Sequence, residues 1–97
     1  MATYITTIQF TAEGIANIKE TCKRAAAFKT AAKKRGCKVL DAYWTQGAFD
    51  GVLIFEAPDD EAASALMLYL GAQGHVQTET LRAFTSAEME KIVAAAQ

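Results

Sequence analysis

Five residues near the middle of the chain, Gly51-Val52-Leu53-Ile54-Phe55, constrain the fold more than any other feature. The run is aliphatic, β-branched and aromatic, and Pro58 follows it, so Phe49 to Glu56 reads as a strand. Successive strand side chains point to opposite faces. Leu53 and Phe55 therefore share one face, and Val52 and Ile54 share the other. A sheet with one face in water alternates apolar and polar residues. This one is apolar on both faces. The segment Cys37 to Thr45 reads as a second such strand, with Val39 and Tyr43 opposite Leu40 and Trp44. A layer of helices covers one face, and the other needs a further partner.

The remaining elements supply that single layer. Thr3 to Phe10 reads as a strand. Thr11 and Glu13 open a helix whose stripe of Ile15, Ile18, Cys22, Ala25, Phe28 and Ala32 has helical spacing, and Gly36 closes it. Lys29 falls inside that stripe, so either its stem runs along the core edge or the helix phase slips near Thr21. Gln46-Gly47-Ala48 is a short antiparallel connection between the second and third strands. Asp59 caps a second helix carrying Ala62, Ala63, Leu66, Met67 and Leu70, which ends near Gly71 or Gly74. Val76 to Phe84 is the fourth strand. Thr85 and Glu88 form a capping box for a terminal helix with Met89, Ile92, Val93 and Ala96 on one side. The order is β-α-β-β-α-β plus a C-terminal helix: an α+β, ferredoxin-like fold with a four-stranded antiparallel sheet. The 97 residues, 1–97, make a single domain with no linker or repeat.

An uncovered apolar sheet face exceeds the patch a monomer exposes. The expected solution is a homodimer or higher oligomer in which two copies pack through that face. The alternative is that the terminal helix folds across it.

Composition excludes several classes. No apolar run reaches the ~20 residues of a membrane span, and the start lacks a signal-type core, so a cytoplasmic location is expected. Cys22 and Cys37 form no CxxC and no Cys/His cluster, so free thiols are expected and no metal. Eight of the ten basic residues lie between Lys19 and Lys38. The pI is only about 5.7 and no aromatic residues interleave on an RNA-binding pattern, so a solvated helix face is expected rather than a nucleic-acid surface. No Walker loop, Rossmann fingerprint, GxSxG elbow or HExxH motif is present, and no cofactor is expected.

Seven residues are candidates for a ligand site. Asp50 follows the hairpin turn and suits a general base or an amine ligand, although aspartate there also accepts turn N–H groups. Tyr43 and Trp44 are adjacent, so one faces the core and the other a pocket toward the partner; which does which depends on the hairpin register. His75 is the only histidine and suits acid–base work, or else sits in a surface turn. Thr78, Thr80 and Arg82 share one face of the fourth strand, where they line a cavity or rim the dimer interface.

Four stretches resemble the GYD-domain family of small bacterial proteins. They are Ala2-Thr3-Tyr4-Ile5, Tyr43-Trp44-Thr45-x-Gly47-x-Phe49-Asp50, Glu56-Ala57-Pro58-Asp59-Asp60-Glu61-Ala62 and Thr78-x-Thr80-Leu81-Arg82-Ala83-Phe84. The namesake motif reads Gly47-Ala48-Phe49-Asp50, with Phe49 where the family has tyrosine, so that hydroxyl is lost. The resemblance implies a dimeric α+β barrel. That superfamily holds cofactor-free monooxygenases, isomerases, haem enzymes and ligand-binding domains, so the fold alone selects no function. A second resemblance, through the same hairpin and Gly74-His75-Val76-Gln77-Thr78, is to effector-binding domains of leucine-responsive-type regulators, which bind amino acids and do no chemistry.

Two functions follow as expectations. The first is a dimeric small-molecule-binding module. The second is a cofactor-free enzyme, monooxygenase- or isomerase-like, with its site between sheet and partner and with Asp50 or His75 as acid or base.

Overall fold

The central strand is β1 (Ala2–Phe10), whose Thr- and Ile-rich sequence suits a pleated, half-buried surface. The computed structural model describes all 97 residues. β3 (Gly51–Ala57) and β4 (Val76–Ala83) flank β1, and β2 (Lys38–Trp44) lies outside β3. Every pairing is antiparallel, and the order is β2-β3-β1-β4. The helices are α1 (Ala12–Ala16), α2 (Thr21–Lys34), α3 (Asp60–Ala72) and α4 (Ser86–Ala95). The architecture is the ferredoxin-like α+β fold with a C-terminal helix.

Burial along β3 alternates strictly, with Leu53, Phe55 and Ala57 buried and Val52, Ile54 and Glu56 only half-buried. The buried set faces the helices. Phe55 is fully enclosed and stacks on Tyr4 of β1, ring centroids 5.3 Å apart. Phe28 from α2 and Leu66 from α3 complete this core. Asp59 caps α3 by accepting the Ala62 N–H at 2.8 Å. Both halves of the Thr85–Glu88 capping box form at the start of α4.

Two local features depart from the sequence expectation. The first helix is not continuous. α1 ends at Asn17, a 3₁₀ turn spans Ile18–Glu20, and α2 starts afresh at Thr21. The phase slip therefore occurs, and Ile15, Ile18 and Cys22 are exposed rather than core. The apolar stripe restarts at Ala25, Phe28, Ala31 and Ala32, and Lys29 stays in solvent.

The second departure is a bulge in β2. Val39 pairs with Phe55, but Asp41, not Leu40, comes next opposite Ile54. One inserted residue reverses the alternation beyond it. Val39, Ala42 and Trp44 consequently share the helix face with Phe55, Leu53 and Gly51, while Tyr43 pairs with Val52 on the other face. Val39 and Trp44, expected on opposite faces, lie on the same one.

The face away from the helices carries Ile5, Val52 and Ile54 at its centre, with Tyr43 59% and Leu81 58% exposed. α4 does not cover it: no α4 residue is buried, and Met89, Ile92 and Val93 are themselves exposed. The chain's accessible surface is 6428 Å², whereas a compact monomer of this mass exposes about 5,400 Å². The radius of gyration, 14.6 Å, likewise exceeds the ~12.5 Å of a compact domain of this length.

Candidate functional site

The end of the sheet where β1 runs out is closed by two turns. The β2–β3 hairpin brings Asp50 beside the end of β1. The Asp50 N–H donates to the Ile8 carbonyl at 2.8 Å. Its carboxylate accepts the Phe10 N–H, also at 2.8 Å. Its carbonyl accepts the Thr45 N–H at 2.9 Å. Asp50 thus fastens the hairpin loop to a strand 40 residues away. Gln9 Nε2 adds a bond to the Ala48 carbonyl at 3.0 Å.

The second turn carries His75. Gly74 adopts φ +84°, a conformation that glycine takes without steric cost. Thr11 holds both carbonyls of the turn. Its N–H donates to the His75 carbonyl at 3.1 Å and its hydroxyl to the Gly74 carbonyl at 2.7 Å. Gly14 lies against the same turn so closely that a Cβ there would sit 2.1 Å from the His75 carbonyl oxygen.

Between these turns, the helix face of the sheet and α2 lies a cavity of about 100 Å³. Ile8, Val39 and Leu53 form its floor and Phe28 and Ala25 its roof. Trp44 stands at one side, its indole N–H donating to the Thr21 hydroxyl at 3.0 Å. Asp50 and His75 also line it, and Tyr43 borders it although its register sets its side chain on the far face. Arg24 reaches it from α2. One guanidinium nitrogen of Arg24 donates to the Asn17 carbonyl at 2.9 Å. The other, Nη2, is buried and has no partner, and neither has the buried Nδ1 of His75.

The other three candidates lie elsewhere. Thr78, Thr80 and Arg82 line an open groove between β4 and α3, together with Tyr4 and Asp60. The Thr80 and Thr6 hydroxyls are 2.9 Å apart. Arg82 is fully engaged. It contacts the Thr3 carbonyl at 3.3 Å and the Ala83 carbonyl, pairs with Glu88 of α4 at 3.6 Å, and lies over the Phe84 ring. The Tyr4 hydroxyl donates to Asp60 at 2.5 Å. That bond, and then burial, raises the phenol above its ordinary range.

The cavity therefore gathers Tyr43, Trp44, Asp50 and His75 but not Thr78, Thr80 or Arg82. It lies on the helix side and is built within one chain, not between sheet and partner. Arg24, Thr21 and Phe28 were missed as site residues. Arg24 stands in the basic run from Lys19 to Lys38, where nothing distinguishes it from its solvated neighbours. Cys37 is a buried thiol whose pKa burial raises, so it stays protonated and inert. No helix is long and apolar enough to cross a membrane.

Two solved structures share this architecture. The crystal structure of MtbAldR superposes with a TM-score of 0.66 at 19% identity, covering 88% of this chain and 53% of that one. This chain thus spans about half the length of MtbAldR. TTHA0845 from Thermus thermophilus gives a TM-score of 0.56 at 24% identity, covering 89% of this chain and 96% of that one. At these identities the likeness shows the fold alone. No curated protein sequence matches significantly. The model of the GYD domain matches residues 4–93, almost the whole chain. The chain belongs to the GYD-domain family.

Proposed function

We propose that this protein is a small-molecule-binding module that works as a homodimer in the cytoplasm. The observation that carries the binding reading is the cavity beneath α2. It is walled mostly by apolar and aromatic side chains with a few polar groups at one end, the usual make-up of a ligand pocket. Binding is favoured over catalysis because Asp50, the one acid lining the cavity, uses its backbone and one carboxylate oxygen, Oδ2, to fasten the hairpin and so already has a structural role.

The dimer rests on the uncovered sheet face. The surface in excess of a compact monomer, about 1,000 Å², is close to the ~800 Å² per partner of a standard interface. Ile5, Val52, Ile54 and Leu81 form a patch centred on the sheet, the placement a two-fold contact requires. Two free cysteines fit a reducing compartment.

A thermal-shift screen of small organic acids, amides and amino acids tests the binding reading, because a ligand that binds only the folded state raises Tm. At least one class should give a dose-dependent rise. A flat response across the library removes the reading. Sedimentation tests assembly: the parent should run as a dimer at micromolar concentration and Ile54→Asp as a folded monomer. A parent that sediments only as monomer removes the dimer.

A further inference from the structure

We propose that α4 is an arm that packs against a second copy of this chain, with Met89, Ile92 and Val93 in the dimer contact, and that its helix forms fully only on assembly. The proposal rests on the homodimer reading. It adds a second element to that interface and couples local folding to self-association.

α4 carries an amphipathic pattern that its own chain does not use. Met89, Ile92 and Val93 stand at i, i+3 and i+4, the spacing of one helix face. They are 40–47% exposed, and no residue of α4 is buried. The helix has ten residues, fewer than the ~12–15 at which an isolated helix is even marginal in water. Helices in proteins draw most of their stability from packing an apolar face. The Thr85–Glu88 capping box fixes where α4 begins but buries none of that face.

The body of the chain does not receive this face. Arg82 contacts the Thr3 carbonyl at 3.3 Å and pairs with Glu88 at 3.6 Å, which holds the root of α4 at the end of the sheet. The shortest extent of the chain is 18 Å, the thickness of a sheet with one layer of helices. A third layer would add about 10 Å. The longest extent is 50 Å. β1 spans about 30 Å and α4 about 15 Å, so that length fits an α4 that continues past the sheet.

The areas point to a second copy as the partner. A standard interface takes about 800 Å² per partner, a little over half of it non-polar, or about 450 Å². On the open sheet face, Tyr43 and Leu81 with the half-buried Ile5, Val52 and Ile54 present about 250–300 Å² of apolar surface. The sheet face alone falls short. The α4 stripe adds about 130 Å² and closes most of the difference. In a two-fold dimer each copy receives the other's arm. A lipid surface suits the helix poorly, because two glutamates and one lysine leave it without the basic face that anionic headgroups attract.

The test uses the full chain. Carbon chemical shifts of residues 86–95 should be helical in the parent dimer and near random coil in the Ile54→Asp monomer. Ile92→Gln/Val93→Gln puts a good helix former on an unburied face. It should weaken dimerisation roughly tenfold or more by sedimentation. Ala87→Gln, on the opposite side of α4, should leave the dimer unchanged. Shifts that stay fully helical in Ile54→Asp overturn the coupling. A double variant that dimerises within about twofold of the parent overturns the arm, while the dimer reading stands. A parent that is monomeric up to about 100 μM removes both. Should either variant not fold, the measurement on the other decides alone.

Discussion

Replacing Asp50 by alanine separates a structural aspartate from a functional one. In the parent, the carboxylate accepts the part-buried Phe10 N–H at 2.8 Å. A hydrogen bond to a charged group contributes about 1.5–3 kcal/mol. Alanine removes it and leaves the Phe10 N–H at the end of β1 without a protein partner. The two effects overlap, so the net loss is about 2–3 kcal/mol. For a domain of this size that lowers Tm by roughly 10–20 °C. Asparagine keeps a side-chain acceptor and loses only the charge, so Asp50→Asn should cost about half as much. The assay is urea unfolding at one fixed protomer concentration, because dimerisation makes stability depend on concentration. The reasoning is refuted if Asp50→Ala unfolds within about 0.5 kcal/mol of the parent yet loses ligand affinity more than tenfold. Asp50 would then be a binding residue whose bond to Phe10 contributes nothing measurable.

Gly14→Ala puts a methyl group 2.1 Å from the His75 carbonyl oxygen, and backbone sits on both sides of that contact. Moving α1 away breaks the Thr11 bonds to the Gly74–His75 turn, so a loss above about 3 kcal/mol is expected; a melting curve within a degree of the parent contradicts the packing. Glu88 has its carboxyl held below the ordinary glutamate range, first by the Thr85 N–H, then by the Thr85 hydroxyl and by Arg82. A depressed folded-state pKa stabilises above the unfolded value and is lost as pH falls through the folded one. The first turn of α4 should therefore fray as pH drops below about 4.5, read by carbon chemical shifts of residues 86–90, and Glu88→Gln should abolish the pH dependence. Unchanged shifts down to pH 3 would remove the capping role.

What was legible in the sequence was local. Asp59 before a run of alanines and leucines, and Thr85 three residues before Glu88, mark helix starts whose hydrogen bonds close within four residues. The apolar pattern of β3 fixed its two faces because its alternation is regular from Gly51 to Ala57. What was not legible depends on partners distant in sequence. Ile15 and Ile18 continue a helical stripe without a break, yet α1 packs through Gly14 because the His75 carbonyl leaves room for nothing larger. Arg24 looks like any other lysine or arginine of its segment, and only the cavity beneath α2 distinguishes it.

The β2 bulge links these observations. Counting alternation from Val39 along a regular strand puts Trp44 on the open face and Tyr43 toward the helices. Insertion of Leu40 reverses both, and a shift of one residue exchanges the faces of every side chain beyond it. Trp44 thereby reaches Thr21 on α2 and walls the cavity, while Tyr43 joins Val52 on the exposed face. The two adjacent aromatics are thus assigned to different surfaces by one extra residue. Deleting Leu40 would exchange them, sending the indole to the open face and opening one side of the cavity. The pocket and the assembly face draw mainly on alternate residues of the same strands, with Tyr43 and Val52 of the open face also bordering the cavity. A polar substitution at Ile54 therefore removes no side chain from the cavity, and one at Trp44 removes none from the open face. Ligand binding and self-association should accordingly be separable by point mutation, although both are built on the same sheet.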